Sequence, residues 1–330
     1  MRAAFQREQG GIEVLQVGLL PDPTPGPDDV LVRVHASSLD RVDLYFRTGA
    51  NGMRLPTDGP HIGGRDVAGV IESVGAAAAD RYPELVPGLP IVGVAVRSAH
   101  AELVVVPGAL VFALPAGCSY ELAAAIPTAG RTAYDGLMNR GRLSPGERVL
   151  VIAGSSGVGS FGIQIARAAG ASVITTVGAS WKADHARALG AADVINHYTE
   201  DIAARVRELT GGGLDSGVDV VLDPVGGATF PAAMKSLRRE GRYVTTGVTA
   251  GHHADIHLGK LFERGLTVTG VGRPNDERIR TVMEQLLSLV ATGEVRPAVH
   301  AVLPLDQIAD AHQLLESSAV FGKLVIAVTR

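Results

Sequence analysis

Residues 149–170 read VLVIAGSSGVGSFGIQIARAAG, and this stretch restricts the fold more tightly than any other. An apolar run, 149–153, leads into Gly154, Gly157 and Gly159, and these lead into a segment with helical spacing. Glycines let a chain turn sharply from strand to helix and let backbone amides approach an anion at the helix N-terminus. The spacing is G-x-x-G-x-G rather than G-x-G-x-x-G, with the same physical use, a turn that cradles a dinucleotide pyrophosphate. A glycine triplet alone is often only a loop. The strand before it and the helix after it make it a ligand turn.

The chain beyond keeps alternating. Strands are expected at 172–177, 194–196, 218–223, 242–246 and 266–270, and helices at 158–169, 181–189, 199–210, 228–238 and 255–263. Such alternation means a parallel sheet with helices on both faces, because parallel neighbours need a crossover. The expectation is a doubly wound, six-stranded Rossmann sheet over 121–271. The first third has a different texture. Short apolar or alternating runs at 30–34, 67–74, 91–96 and 103–106 are separated by proline and glycine clusters, as in PDPTPGPDD at 21–29, which suggests a β-rich barrel or sandwich. The tail reads as helix 278–292, strand 299–303, helix 306–316 and strand 323–328. Its strands have no place in a completed six-stranded sheet. Segments 1–120 and 272–330 are therefore expected to form one domain, with the Rossmann unit inserted.

The chain has 330 residues, enough for two such domains, and 46% are hydrophobic. A formal net charge of −4 carries no basic surplus that would point to nucleic acid. One cysteine, Cys118, rules out an internal disulfide and a multi-cysteine zinc site, and is most simply a small core residue. With no apolar run of membrane-spanning length and no apolar signal stretch in MRAAFQREQGG, the expected setting is the cytoplasm, without membrane attachment.

The end of the second Rossmann strand bears on which dinucleotide binds. NAD sites usually place a carboxylate there for the ribose 2′-hydroxyl. Here Thr176 is followed by Val-Gly-Ala-Ser-Trp-Lys, residues 177–182, and the first acid is Asp184, inside the next helix. Ser180 and Lys182 instead suit a 2′-phosphate, although a helical lysine is more often simply solvated. His197 or Tyr198, at the end of the third strand, flanks the adenine or adds to the phosphate site, or is ordinary surface. Two more glycine turns, 223–227 with Val225 and 246–251 with Gly247 and Thr249, are expected to border the nicotinamide half. Asp223 reads better as a cap than as a catalytic group.

The order of parts resembles the medium-chain dehydrogenase/reductase superfamily, and within it the zinc-free quinone oxidoreductases. The resemblance rests on VLVRVHASSLDRVDLYFRTG at 30–49, GGRDVAGVIESVG at 63–75, AAAIPTAGRTAY at 123–134, AGSSGVG at 153–159, TVGASWK at 176–182, VINHYTED at 194–201, DVVLDPVGG at 219–227 and GKLVIAV at 322–328. It implies a GroES-like catalytic domain, an inserted Rossmann domain, NADPH as cofactor, a homodimer joined through strand 266–270 and a cleft between domains. By the same resemblance Gly157 and Val158 cradle the pyrophosphate, Lys182 meets the 2′-phosphate, and Thr132 and Tyr45 lie near the nicotinamide. His197 stands where a tyrosine is usual, with Tyr198 displaced by one. Asp40 stands where an asparagine is common.

Zinc-dependent relatives carry a cysteine near position 40 and a His-Glu pair near 65–66. This chain has Asp40, Arg65 and Asp66, and no four-cysteine lobe, so no zinc is expected. His61, His252, His253 and His257 are the remaining histidine candidates, and the 252–253 pair reads as solvated loop. Without a Lewis acid, the acceptor must be activated by its own conjugation, as a quinone or an α,β-unsaturated carbonyl is. Tyr45 then supplies a hydrogen bond to the developing oxyanion, or is only a packing aromatic. Asp40 is an acid if protonated, an acceptor if ionised, or a carboxylate paired with Arg41 or Arg65. The leading expectation is an NADPH-dependent quinone or enoyl-type reductase acting on a small molecule. Competing ones are a reductase of a polyketide-like enone intermediate, a non-catalytic NADPH-binding protein and a zinc alcohol dehydrogenase. Loops 47–60 and 272–278 are expected to shape substrate choice.

Overall fold

The computed structural model describes residues 1–95, 97–213, 215–272 and 274–329. Val96, at the end of the expected strand 91–96, and Arg273, within the 272–278 loop, lie outside the described residues. The chain forms two compact units, one of Met1–Thr128, Asp276–Leu287 and Pro297–Arg330, the other of Ala129–Asn275 and Ser288–Arg296.

The first unit is built on a seven-stranded sheet. Strand Asp29–Leu39 is its spine and pairs with Asp66–Val74, Leu103–Pro107 and Lys323–Ala327. Along the spine Val30, Val32 and Val34 point inward while Arg33 points out to Glu72, 2.9 Å away, as expected for a strand half-buried at one end. From Ala36 to Leu39 both faces are buried. The tail strands Val299–Pro304 and Lys323–Ala327 extend this sheet, the second lying antiparallel to the spine. A smaller sheet joins Arg2–Gln6 to Gln16–Leu19 and His61–Ile62.

The second unit holds six parallel strands in the order Asp193–Asn196, Ser172–Val177, Arg148–Val151, Val218–Asp223, Leu237–Thr245, Thr267–Gly270. The two central strands are closed off on both faces, which is why they read as unbroken apolar runs. The order reverses between Arg148–Val151 and Val218–Asp223, the switch point beside which such sheets bind ligands.

Some boundaries differ from the sequence reading. Helix 228–238 shrinks to Phe230–Lys235, because Leu237 already pairs with Val218 and the fifth strand starts there rather than at 242. Between 120 and 134 the chain forms two helices, Tyr120–Ala124 and Pro127–Tyr134, parted before Pro127 because proline donates no amide to the preceding turn. It ends in a π-helical turn, Asp135–Arg140. Cys118 is half-buried rather than a core residue. Helix Asp276–Ala291 contributes to both units. Its Arg280 lies over the rings of Tyr82 and Phe112, at 4.5 and 5.4 Å, in the first. The segment after it belongs to the second, where both polar atoms of the Gln164 amide bond the backbone of Arg296 at 2.9 Å.

Three histidines of the first unit, His61, His100 and His312, are buried around a small cavity that Asp43 also lines. Burial disfavours the imidazolium, and for His312 the nearby His100 and Arg47 add to it, so its pKa drops to about 3. The unfolded imidazole takes up its proton near 6.5, the folded one only far below that. The stability this group carries is therefore complete above pH 6.5 and is lost as pH falls below it. Urea unfolding at pH 7 and pH 5 should show a smaller acid loss for His312→Leu than for the unsubstituted protein. An equal loss in both would mean His312 is not the group that charges.

Candidate active site

The glycine turn is shaped from below. Thr176, fully buried at the end of the second strand, accepts the Ala153 amide on Oγ1 at 2.9 Å and the Gly154 amide on its carbonyl at 2.8 Å. It is an anchor beneath the turn. A Cβ on Gly154 would sit 2.1 Å from Thr175 Oγ1, and one on Gly159 would sit 2.1 Å from the Ala153 carbonyl oxygen. These two glycines therefore allow strand, turn and helix to close on one another. Ala153 itself takes a left-handed conformation, φ 54°, to enter the turn. Ser156 caps helix Gly157–Ala168 by accepting the Gly159 amide at 2.9 Å. Gly157 and Val158, at the first two helical positions, have amides that a helix cannot satisfy internally, so they are the ones open to an anion.

Of the residues singled out for the adenine side, His197, Tyr198 and Lys182 come together. The His197 and Tyr198 rings are 4.4 Å apart and stand over Gly178, where a Cβ would meet Tyr198 at 2.8 Å and His197 at 3.2 Å. Tyr198 is largely exposed. Ser180 and Lys182 lie in the first turn of helix Ser180–Ala188. Lys182 is not a solvated surface lysine: it is 8% exposed, and its ammonium lies 5.3 Å from the Trp181 ring centroid. Its charge is felt at His197, whose proton affinity is lowered by burial and then by Lys182. Asp184 is exposed and pairs with Arg187 at 3.2 Å, away from any role at the strand end.

On the other side of the switch point Asp223 organises two turns. Its buried carboxylate accepts the amides of Val225 and Gly226 at 2.7 and 3.0 Å and the hydroxyls of Thr229 and Tyr243, each at 2.8 Å. With four donors it is a structural anchor. The turns interlock: the Ala250 amide donates to the Val225 carbonyl at 2.9 Å, and a Cβ on Gly247 would come within 2.4 Å of the Pro224 carbonyl oxygen. Val225, Gly247 and Thr249 thus share the carboxyl ends of the fourth and fifth strands. Thr132 sits on helix Pro127–Tyr134, half-buried.

Asp40 and Tyr45 belong to the first unit. Asp40 precedes helix Arg41–Thr48, and its amide donates to the Asp43 carboxylate at 2.8 Å. Its own carboxylate is paired neither with Arg41 nor with Arg65. Oδ1 takes the ammonium of Lys323, a residue read from sequence only as the start of a strand. Lys323 is buried, and on its other side Asp66 Oδ2 lies 3.7 Å away. Asp66 is fully buried and accepts the Thr128 amide and hydroxyl at 3.0 and 2.6 Å and the Ser38 hydroxyl at 3.0 Å. Burial and the Asp40 charge raise its proton affinity well above the carboxylate range. Asp40 Oδ2 and the Tyr45 hydroxyl are buried without a hydrogen bond among the described residues, Asn51 being the polar side chain that faces Tyr45. Asp40 and Asp66 stand out in the sequence at the positions of relatives' zinc ligands, whereas Lys323 carries no signal beyond opening the apolar strand GKLVIAV.

The residues at 40, 65 and 66 do not suit zinc. Two are carboxylates already engaged by an ammonium, and the third is an arginine. Among the described residues no group of three or more His, Cys, Asp or Glu side chains is arranged to hold a metal. His61 is buried, whereas His252 and His253 are exposed and His257 caps helix Leu258–Arg264.

Two family models match the chain: an alcohol dehydrogenase GroES-like domain over residues 26–116 and a zinc-binding dehydrogenase over 157–290. Quinone oxidoreductase 1 of Escherichia coli is 33% identical over 336 residues, covering 97% of this chain and 97% of that protein. The phthioceranic/hydroxyphthioceranic acid synthase of Mycobacterium tuberculosis is 31% identical over 330 residues, 98% of this chain but 15% of that protein. The crystal structure of Escherichia coli quinone oxidoreductase complexed with NADPH superposes with a TM-score of 0.87 at 30% identity, covering 99% of this chain and 100% of that one.

The close approach at Gly159 yields a sharp test of the turn. Gly159→Ala should lower the melting temperature by several degrees and abolish dinucleotide binding by calorimetry, because a Cβ at 2.1 Å from a backbone carbonyl forces the helix off the strand. Unchanged melting and binding would show that the turn yields easily.

Proposed function

Because the chain belongs to the medium-chain dehydrogenase/reductase superfamily, on its quinone oxidoreductase-like branch, we propose that it is an NADPH-dependent oxidoreductase that reduces a quinone or an α,β-unsaturated carbonyl without zinc. The observation that carries the acceptor class is the buried ion pair of Lys323 with Asp40 and Asp66, at positions where zinc-dependent relatives keep metal ligands. With no metal to polarise a simple ketone, the acceptor must spread the incoming charge through its own conjugation.

NADPH, when bound, supplies a hydride. The chain's own residues do the rest. The Gly157 and Val158 amides hold the pyrophosphate at the helix N-terminus. Lys182, with Ser180 and His197, holds the 2′-phosphate, and no carboxylate stands at the strand end to repel it. Tyr198 covers the adenine. Thr132, Val225, Gly247 and Thr249 orient the nicotinamide. Tyr45 donates a hydrogen bond to the acceptor oxygen as charge develops there. A reducing, cytoplasmic setting goes with this chemistry.

The purified protein should oxidise NADPH, followed by loss of nicotinamide absorbance, with quinones or enones. No turnover across a broad panel, together with tight NADPH binding, would favour a non-catalytic binding protein. Lys182→Ala should raise KM for NADPH by about 10- to 100-fold, the size of a lost charged hydrogen bond, and leave KM for NADH nearly unchanged. Tyr45→Phe should lower kcat by about 10²-fold at constant cofactor affinity. The synthase match favours a second reading, reduction of a polyketide-like enoyl thioester. A kcat/KM for such thioesters far above that for quinones would select it.

A homodimer completes the reading. Strand Thr267–Gly270 is the edge of the six-stranded sheet, and Val268 on it is exposed, as are Leu258 and Phe262 of helix Leu258–Arg264. An apolar edge invites pairing with a second copy. Analytical ultracentrifugation should give a dimer mass for the native chain and a monomer mass for Val268→Lys with Phe262→Glu. A monomer in the native chain would overturn the assignment.

A further inference from the structure

Helix Ser180–Ala188 begins without a side-chain cap: Ala179, at its N-cap, has no group to accept the first amides of the helix. Ser180 and the buried Lys182 stand in that first turn. Beside it, strand Asp193–Asn196 runs parallel to Ser172–Val177, with Asn196 opposite Val177. The two carboxyl ends are level, and the next residue of each, His197 and Gly178, meet. The His197 ring closes over Gly178: a Cβ there would lie 3.2 Å from Cε1 and 3.4 Å from Nε2. Tyr198 packs on this ring at 4.4 Å, and the Lys182 ammonium is the charge that acts on it. The Val177 carbonyl, which also takes the His197 amide at 3.1 Å, is its backbone acceptor. On the helix itself, His185 Nδ1 lies 2.9 Å from the Trp181 carbonyl and Asp184 is taken by Arg187.

We propose that His197 meets the cofactor's 2′-phosphate as an imidazolium, so that binding NADP(H), unlike binding NAD(H), takes up a proton and grows tighter from mildly alkaline pH to neutrality. The inference rests on the assignment of Ser180, Lys182 and His197 to the 2′-phosphate above. A phosphate dianion presents only acceptors. A neutral imidazole has one N–H and one lone pair. Serving the Val177 carbonyl and a phosphate oxygen together takes both ring nitrogens as donors, and that is the charged ring. Without the cofactor, the loss of water around the ring and the like charge of Lys182 hold it neutral. The phosphate reverses the balance, because it brings about two negative charges against the single one that the ammonium can offset. The proton comes from water and rests on the ring while the cofactor is bound; no bond of the cofactor is made or broken. The complex then holds more protons than the free protein. Affinity therefore rises as pH falls through the pKa of the bound imidazole, and the gain is complete below that of the free one. A tyrosine, usual at this position in the resembling family, donates its own hydroxyl hydrogen and takes up no proton.

The test needs no turnover and uses NADP⁺ and NAD⁺ as probes. Calorimetry at pH 7 in buffers of different ionisation enthalpy should show roughly half a proton or more taken up per NADP⁺ bound, and none per NAD⁺. At this pH the phosphate, which gains its own second proton near pH 6, is already almost wholly a dianion and releases little. Trp181, the one tryptophan of the chain, stands 5.3 Å from the Lys182 ammonium, so its fluorescence follows the same binding. NADP⁺ affinity should rise about 3- to 10-fold from pH 8 to pH 7, ten-fold being the limit for one proton, while NAD⁺ affinity stays flat. His197→Tyr should keep the preference for NADP⁺ and lose both the uptake and the pH dependence; His185→Gln should keep both. In the complex, nitrogen-15 NMR should find both ring nitrogens of His197 protonated. A preference for NADP⁺ with no proton uptake in the unsubstituted protein, or the same uptake in His197→Tyr, would overturn the proposal. NADP⁺ bound no more tightly than NAD⁺ at either pH would instead show that the 2′-phosphate assignment itself fails, and the proposal with it.

Discussion

An ammonium taken out of water has to be met by negative charge within hydrogen-bond reach, and Lys323 is met from two sides. The three residues sit at three neighbouring strands. Asp40 follows the end of the spine strand, Asp66 opens the strand beside it, and Lys323 opens the terminal strand on the other side. The cluster therefore fixes how the C-terminal strand docks, and with it the tail of the first unit. It also fixes the start of helix Arg41–Thr48, which carries Tyr45, because Asp40 caps the strand-to-helix corner. Removing one partner of such a group leaves an uncompensated buried charge, a loss of about 3–5 kcal/mol. Two carboxylates around one cation lessen that penalty, since either can hold it.

The nucleotide unit follows a different principle. Its shape rests on close contacts: glycines at 154, 159 and 247 with no room for a Cβ, four donors around the Asp223 carboxylate, and two turn amides on Thr176. Lys182 is buried, its ammonium 5.3 Å from the Trp181 ring centroid, at the position proposed above for the 2′-phosphate. The same contrast runs through the chain: anions anchor structure where they are saturated with donors, and unsaturated groups mark where chemistry is expected.

Most of the fold was legible from periodicity. Long buried strands and the helices between them leave a strong pattern, and the glycine turn marks the first crossover without ambiguity. Short helices did not read as well. The segment 228–238 looks helical because its residues allow it, yet pairing of Leu237 with Val218 claims the end for the sheet. Site residues divide the same way. Glycines and the missing acid at the second strand are local statements, and they were readable. The roles of Thr176 and Asp223 depend on what lies beneath the turns, and the pairing of Asp40 joins residues 283 positions apart. Arg41 and Arg65 were the partners that proximity in sequence suggested, while the true one comes from the last strand of the chain.

That distance explains why Asp40 is tolerable at all. Beside a helix start, with Asp43 in the same turn and Asp66 across the sheet, a third carboxylate would leave three anions facing one another in a dry site. Burial, and then the charge of Asp40, push Asp43 and Asp66 toward protonation. Only a buried cation can hold Asp40 there, and Lys323 is placed to do so because its strand runs antiparallel to the spine, setting Leu324 opposite Leu39. The acid at position 40 and the lysine at position 323 therefore belong together in this fold, each the nearest opposite charge of the other in a dry corner of the sheet.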